Sequence, residues 1–242
     1  EVTCINCGQC INRCPTGALT AKDTTEDVWA AIEDPTKHVV IQTAPAPRAA
    51  IGEEFGQPPG TPMTWHLNTA LREIGFDKVF DTNFAADLTI MEEGTELLTR
   101  LKRALVDKEP VALPMFTSCS PGWIQFAEFY YPKFLDHLST CKSPQQMFGA
   151  VAKTFYAQKI GVKPENLIVV SVMPCTAKKF EIQRNTDMTA SGYQDNDVVL
   201  TTRELARMIK SAGIDFLKLQ DEACDSILGN YSGAGTIFGV TG

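Results

Sequence analysis

The chain has 242 residues, a length that suits one large domain or two smaller ones. Its 44% hydrophobic content is enough to bury a core, which excludes a disordered chain. The 22 basic residues against 29 acidic ones leave a net charge of −7, which argues against a nucleic-acid partner, and no apolar run reaches the roughly 18 residues of a membrane span.

In chain order, the cysteine-rich opening gives way after Gly17-Ala18-Leu19 to a polar linker, Thr20 to Asp27, and a short helix around Val28–Ile32 that ends at Asp34-Pro35. His38–Thr43 reads as a buried strand, followed by a rigid turn, Ala44-Pro45-Ala46-Pro47, into a helix. A helix over 63–74, a short strand at 78–80 and a helix with period 3.6 over 87–105 come next. A strand over 111–116 precedes helices over 123–138 and 143–160. The most apolar strand covers 166–172. Val198-Val199-Leu200 leads into Thr201-Thr202-Arg203-Glu204, a capping box for a helix to Ser211. Strands alternating with helices predict an α/β fold with a mainly parallel sheet flanked by helices, and place ligands at loops after strand C-terminal ends. One boundary is expected near residues 20–37, dividing a partial iron–sulfur module over 1–22 from an α/β domain over 37–242.

Four of the eight cysteines fall between Cys4 and Cys14, and the rest are single. A disulfide scaffold would spread paired cysteines through a small secreted chain, so this distribution fits a reducing cytoplasmic interior and metal ligation. Cys4, Cys7, Cys10 and Cys14 form C-x2-C-x2-C-x3-C-P, the bacterial ferredoxin pattern for a 4Fe-4S cluster. Thiolates two residues apart wrap one cluster only if the backbone curls tightly, which Gly8 assists. Structural zinc sites instead use two C-x2-C pairs and lack the terminal Cys-Pro. In two-cluster ferredoxins the fourth cysteine ligates the other cluster. Either Cys4, Cys7 and Cys10 hold one cluster and Cys14 reaches a second, or all four hold one. The start, Glu1-Val2-Thr3-Cys4, lacks an initiator Met, so further sequence upstream is expected.

Cys119, in Thr117-Ser118-Cys119-Ser120-Pro121-Gly122-Trp123, follows the strand expected over 111–116. Cys175, in Met173-Pro174-Cys175-Thr176-Ala177-Lys178-Lys179-Phe180-Glu181, follows the strand over 166–172. Both precede helical segments, whose N-terminal amides favour a thiolate. Together with the ferredoxin run, TSCSPGW and MPCTAKKFE resemble the catalytic subunit of the iron-only (FeFe) hydrogenases, whose motifs read TSCCPxW and MPCxxKxxE. The resemblance spans the whole chain. It implies a reversible 2 H+ + 2 e− ⇌ H2 reaction at an H-cluster, a 4Fe-4S unit bridged to a di-iron unit bearing carbonyl, cyanide and a dithiolate. By that resemblance Cys175 is a cubane ligand, Lys178 pairs with a cyanide, and Met173, Pro45-Ala46 and Pro144-Gln145 line the pocket. Cys119 is the thiol at the open iron. Glu93 and Glu96, three apart on one helix face, are proton-relay groups bridged by Ser139, with Arg100 near the exit. Read from the residues alone, Glu96 and Arg100 are an ordinary i,i+4 surface pair and Lys178 a solvated lysine. The implied partners are H2, protons, and a ferredoxin or an NAD(P)H-linked iron–sulfur/flavin subunit in a larger complex.

Two departures stand out. Ser120 occupies the place of the family's second motif cysteine, a cubane ligand, and a hydroxyl is a poor iron ligand beside a thiolate. The Ser232–Gly242 stretch lies mid-domain in the family, so a later motif with further ligands is expected beyond it. The alternative function is a hydrogenase-like sensor or electron-transfer subunit without turnover; a plain ferredoxin-type carrier would leave most of the chain unused. Cys141, Cys224, His38, His66 and His137 read as structural.

Overall fold

The computed structural model describes residues 3–184, 186–226 and 232–236; the expectation for Gly-rich residues 237–242 lies outside them. Four strands, β1 (His38–Thr43), β2 (Lys78–Asp81), β3 (Leu167–Met173) and β4 (Val198–Thr201), form one sheet in the order β2-β1-β3-β4. Every pairing is parallel, with Val40 opposite Val169 and Ile41 opposite Val79. Val39, Val40 and Ile41 of β1 and Val169, Val170 and Val172 of β3 are all buried, as two-sided coverage of a parallel sheet requires.

Helices cover both faces. One core packs Val39, Ile41, Val170 and Leu200 against Leu67 and Leu71 of α4 (Thr64–Ile74) and Leu205 and Met208 of α10 (Thr202–Ser211). The other packs Val40 and Val169 against Ala85 of α5 (Asn83–Leu105) and Phe148 of α7 (Pro144–Val151). The capping box at α10 forms as read, with Thr201 and Glu204 exchanging bonds. The short helices α1 (Gln9–Arg13), α2 (Thr25–Glu33) and α3 (Pro45–Ala50) lie in the first part of the chain, and α6 (Pro121–Tyr130) and α9 (Ala177–Glu181) complete the parts that matter below.

Several expectations are corrected. No sheet strand forms over 111–116. Pro114 offers no N–H to a ladder, and Phe116 makes only one isolated parallel bridge, to Leu138. Cys119 therefore follows an irregular segment, not a strand. The helix expected over 123–138 ends at Tyr130, and a 3-10 turn, Pro132–His137, takes over at Pro132. The helix expected over 143–160 widens into a π-helical turn at Ala152–Tyr156 before α8 (Ala157–Ile160). That turn directs Lys153 inward to Asp197 (2.9 Å) and the Tyr156 hydroxyl to His38 Nε2 (2.9 Å). α5 begins at Asn83 rather than Asp87, because Asp81 Oδ1 accepts from the Asn83 amide at 2.7 Å. The linker is anchored at Thr24, which donates to Val199 O and receives Lys179 Nζ, both at 2.8 Å.

α7 lies close to the segment before β4. A Cβ on Gly149 would sit 2.4 Å from both Asp195 O and Asn196 Nδ2. Gly149→Ala should cost about 1–3 kcal/mol through overpacking against backbone that cannot yield. An unchanged urea midpoint would show that this approach is slack.

Candidate functional site

The C-terminal ends of β1, β2 and β3 open into one cavity of about 220 Å³. Ala44 and Pro45 follow β1, Thr82 and Asn83 follow β2, and Met173, Pro174, Cys175 and Lys178 end and follow β3. The starts of α6 (Cys119, Ser120, Pro121) and α7 (Pro144, Gln145) close the other wall. The strand order reverses direction between β1 and β3, which is where parallel sheets leave a crevice. Pro45 fits the first turn of α3, where its missing N–H is not needed. Ala46 does not line the cavity; the preceding Ala44 does.

Lys178 is buried, not solvated. Its ammonium donates to Cys119 O at 2.6 Å and to Glu181 Oε2 at 2.9 Å. Glu181 also accepts from Gln145 Nε2 at 2.9 Å. This orients the Gln145 amide with its oxygen free, and Gln145 Oε1 and Asn83 Oδ1 are both buried without a partner on the cavity wall. Two thiols and one ammonium suit a sulfur-ligated metal group with anionic substituents. Ser120 stands at the rim, its hydroxyl accepting from Trp123 N at 3.4 Å as the α6 N-cap. It adds no thiol to the set.

A second cavity of about 480 Å³ lies beside Cys119 and includes Glu93, Thr89 and Ser118. Glu96, one turn along α5, accepts from Ser139 Oγ (2.8 Å), Thr140 N (3.0 Å) and Arg100 Nη2 (2.7 Å). The Ser139 bond thus supplies one side of the expected bridge, the Glu96 side. Arg100 also donates to Ala112 O, Asp136 O and Leu138 O, so it is a part-buried clamp rather than a simple i,i+4 surface pair. The two acids are pushed apart. Burial, then the charge of Glu96, raises Glu93 above its ordinary value. Burial also works to raise Glu96, but the bonds from Ser139, Arg100 and Thr140 outweigh it and hold Glu96 low. Cys141, read as structural, joins this group: its thiol points to Glu96 Oε2 at 3.7 Å and its amide donates to Ser139 Oγ at 3.1 Å.

Cys4, Cys7 and Cys10 are exposed along an open curl, with Asn6 and Gly8 in the left-handed region. The Asn6 amide donates to Cys4 Sγ at 3.3 Å. The Cys14 thiol is lowered to about 7, chiefly by its bond with the Thr16 hydroxyl and by backbone amides. Among the described residues no three His, Cys, Asp or Glu side chains converge on one point, so the run is spread rather than closed. His38, His66 and His137 pair with Tyr156, Asp221 and Pro114 O respectively, as structural groups do. The sequence reading missed Thr82, Asn83 and the role of Glu181; the strand-end rule applied to β2 would have found the first two.

Residues 37–242 match the family profile described as iron only hydrogenase large subunit, C-terminal domain, and residues 1–20 match a 4Fe-4S binding domain. The chain belongs to the iron-only hydrogenase large-subunit family. It is 54% identical, over all of its length and 41% of the relative's, to the NADP-reducing hydrogenase subunit HndD of Solidesulfovibrio fructosivorans. It is 51% identical to iron hydrogenase 1 of Clostridium pasteurianum, over 94% of this chain and 38% of that one. It is also 34% identical to protein NAR1 of Arabidopsis thaliana, over 99% and 52%. A solved [FeFe]-hydrogenase superposes with a TM-score of 0.80 at 42% identity, covering 86% of this chain and 53% of that one. An apo [FeFe]-hydrogenase HydA1 variant from Chlamydomonas reinhardtii gives 0.77 at 43%, covering 86% and 52%. The chain therefore spans about two-fifths of the first two curated relatives and about half of these solved structures. Among the described residues no helix is long and apolar enough to cross a membrane.

The shifts at the two acids set a pH signature. With Glu93 raised, the stability it contributes is present below about pH 4.5 and is lost as pH rises through its folded value. With Glu96 lowered, its contribution is full above about 4.5 and is lost as pH falls through its folded value. Glu96→Gln should thus lower the urea midpoint at pH 7 and do so less under acid, whereas Glu93→Gln should hold or raise it at pH 7. Identical pH profiles for the two variants would contradict the assignment.

Proposed function

We propose that this chain builds part of the site of an iron hydrogenase that runs 2 H+ + 2 e− ⇌ H2. The observation that supports this most is the meeting of Cys119 and Cys175 with the buried Lys178 ammonium at three strand ends. In this reading Cys175 ligates the cubane part of an H-cluster, whose di-iron part supplies the open iron when bound. Lys178 offers a compact ammonium to an anionic cyanide, held in place by Glu181. Met173, Pro45, Pro144 and Gln145 wall the pocket against water. Cys119 holds a proton at its sulfur. Glu93, across the adjoining cavity, is the acid whose hold on a proton burial strengthens, and Ser139 and Glu96 pass that proton toward Arg100. Cys4, Cys7, Cys10 and Cys14 hold 4Fe-4S groups in a module over 1–22 that feeds electrons to the 37–242 domain. The 54% likeness to an NADP-reducing hydrogenase subunit supports a larger complex with an NAD(P)H-linked partner; a ferredoxin partner and a cytoplasmic place belong to the same proposal.

A second reading is a hydrogenase-like protein without turnover. Ser120 favours it, since its hydroxyl caps α6 where a second ligand would stand.

The full polypeptide, purified anaerobically and matured, should show carbonyl and cyanide infrared bands and evolve hydrogen. Bands without turnover would select the second reading; no bands would remove the first. Cys119→Ala should abolish turnover while leaving the EPR signal of the N-terminal iron–sulfur group, and retained turnover would exclude Cys119 as the proton-holding thiol.

A further inference from the structure

The N-terminal cysteine run does not hang free of the α/β domain. Thr176, the residue after Cys175, donates its hydroxyl to Asn6 O at 2.8 Å, and Asn6 is the residue before Cys7. The two partners lie 170 residues apart along the chain, so this bond is the short way between the two sulfur sites. Asn6 is held on three sides. Its amide donates to Cys4 Sγ at 3.3 Å, its carbonyl takes the Thr176 hydroxyl, and its side-chain amide donates to Gln125 Oε1 at 3.0 Å. Its φ of 57° is the left-handed conformation that Asn tolerates better than most residues, and it turns the carbonyl to Thr176 while the side chain reaches buried Gln125.

The surfaces are shaped for this approach. A Cβ on Gly8 would lie 3.0 Å from Thr176 Oγ1, and one on Gly122 would lie 3.2 Å from Ile5 O. Glycine at both places lets the run settle against α6 and the start of α9. The Thr3 and Tyr130 hydroxyls, 3.2 Å apart, extend the same seam. None of these residues belongs to the pocket or to the proton-carrying groups above.

We propose that Thr176 is a positioning residue for electron exchange, tying the peptide of Asn6 and Cys7 to the residue that follows Cys175. The inference rests on the hydrogenase reading for the groups that the two sulfur sites carry. Iron–sulfur groups held by the run and by Cys175 would supply one-electron exchange, the reduced one giving its electron to the oxidised one, with no covalent bond made or broken; Thr176 keeps its proton. The hydroxyl holds the carbonyl of the Asn6–Cys7 peptide, while the amide of the same Asn6 donates to Cys4 Sγ, and the tie fixes how closely the two groups approach.

The test compares Thr176→Val, which keeps the shape and removes the donor, with Thr176→Ser, which restores it, in the full polypeptide. In the apo form, hydrogen–deuterium exchange of the peptide over residues 3–8 should rise about fivefold in Thr176→Val, the shift expected for loss of one neutral hydrogen bond, and match the parent in Thr176→Ser. In the iron-loaded form, freeze-quench EPR after flash reduction should show several-fold slower arrival of the electron at the Cys175 group in Thr176→Val. The iron content and g-values of each group should stay unchanged, and Thr176→Ser should transfer like the parent. Parent-like exchange in Thr176→Val overturns the tie. Faster exchange with unchanged transfer overturns the positioning role. A polypeptide that loads no iron at Cys175 overturns the hydrogenase reading instead, while the apo exchange still decides whether Thr176 holds the run.

Discussion

The Lys178 ammonium sits between the Glu181 carboxylate and the Cys119 carbonyl, and it joins two segments that share no strand. Cys175 is placed by β3. Cys119 has no sheet beneath it, only an irregular stretch and the first turn of α6. What brings it to the strand ends is a buried charge that needs partners on both sides. An ammonium that is largely out of water must be neutralised and hydrogen-bonded, and here a carboxylate and a main-chain oxygen together do so. Gln145 adds a third member by donating to the same Glu181 oxygen, which draws the start of α7 into the wall. The pocket is thus closed by one charge network laid over a parallel sheet.

A similar logic governs the acids on α5. Glu96 is surrounded by donors from Arg100, Ser139 and Thr140, while Glu93 answers only to burial and the charge of Glu96. Two residues of one chemical type, one turn apart, are thereby separated in proton affinity. The separation depends on segment 139–141 lying over α5, and that segment is set down by the Phe116–Leu138 bridge with amide bonds on either side of it (2.7 Å each, Phe116 N to His137 O and Ser139 N to Phe116 O).

What was legible in the sequence was local. The apolar runs of β1 and β3, the Thr201–Glu204 box and the helix period of α5 depend on neighbours a few residues away, and they lie where the residues indicated. The ferredoxin spacing and the two motif cysteines carried the family. The misses came from distant partners. Asp81 starts α5 early because Arg48, on the helix that follows β1, holds it at 2.7 Å. Cys141 looked inert because nothing near it in sequence is chemical; its company is Glu96, which folding brings from 45 residues away. The Glu181 partner of Lys178 was visible as an i,i+3 pair, but its Cys119 partner was not.

Ser120 has a thermodynamic consequence of its own. A hydroxyl at a helix start contributes about 0.5–2 kcal/mol relative to a residue that cannot accept there, and a thiol is a weaker acceptor. The empty fold therefore gains from oxygen at this position, whereas a metal-filled one would gain from sulfur. A single atom sets which of the two states the local sequence favours, and in this chain it rewards the helix before any iron arrives.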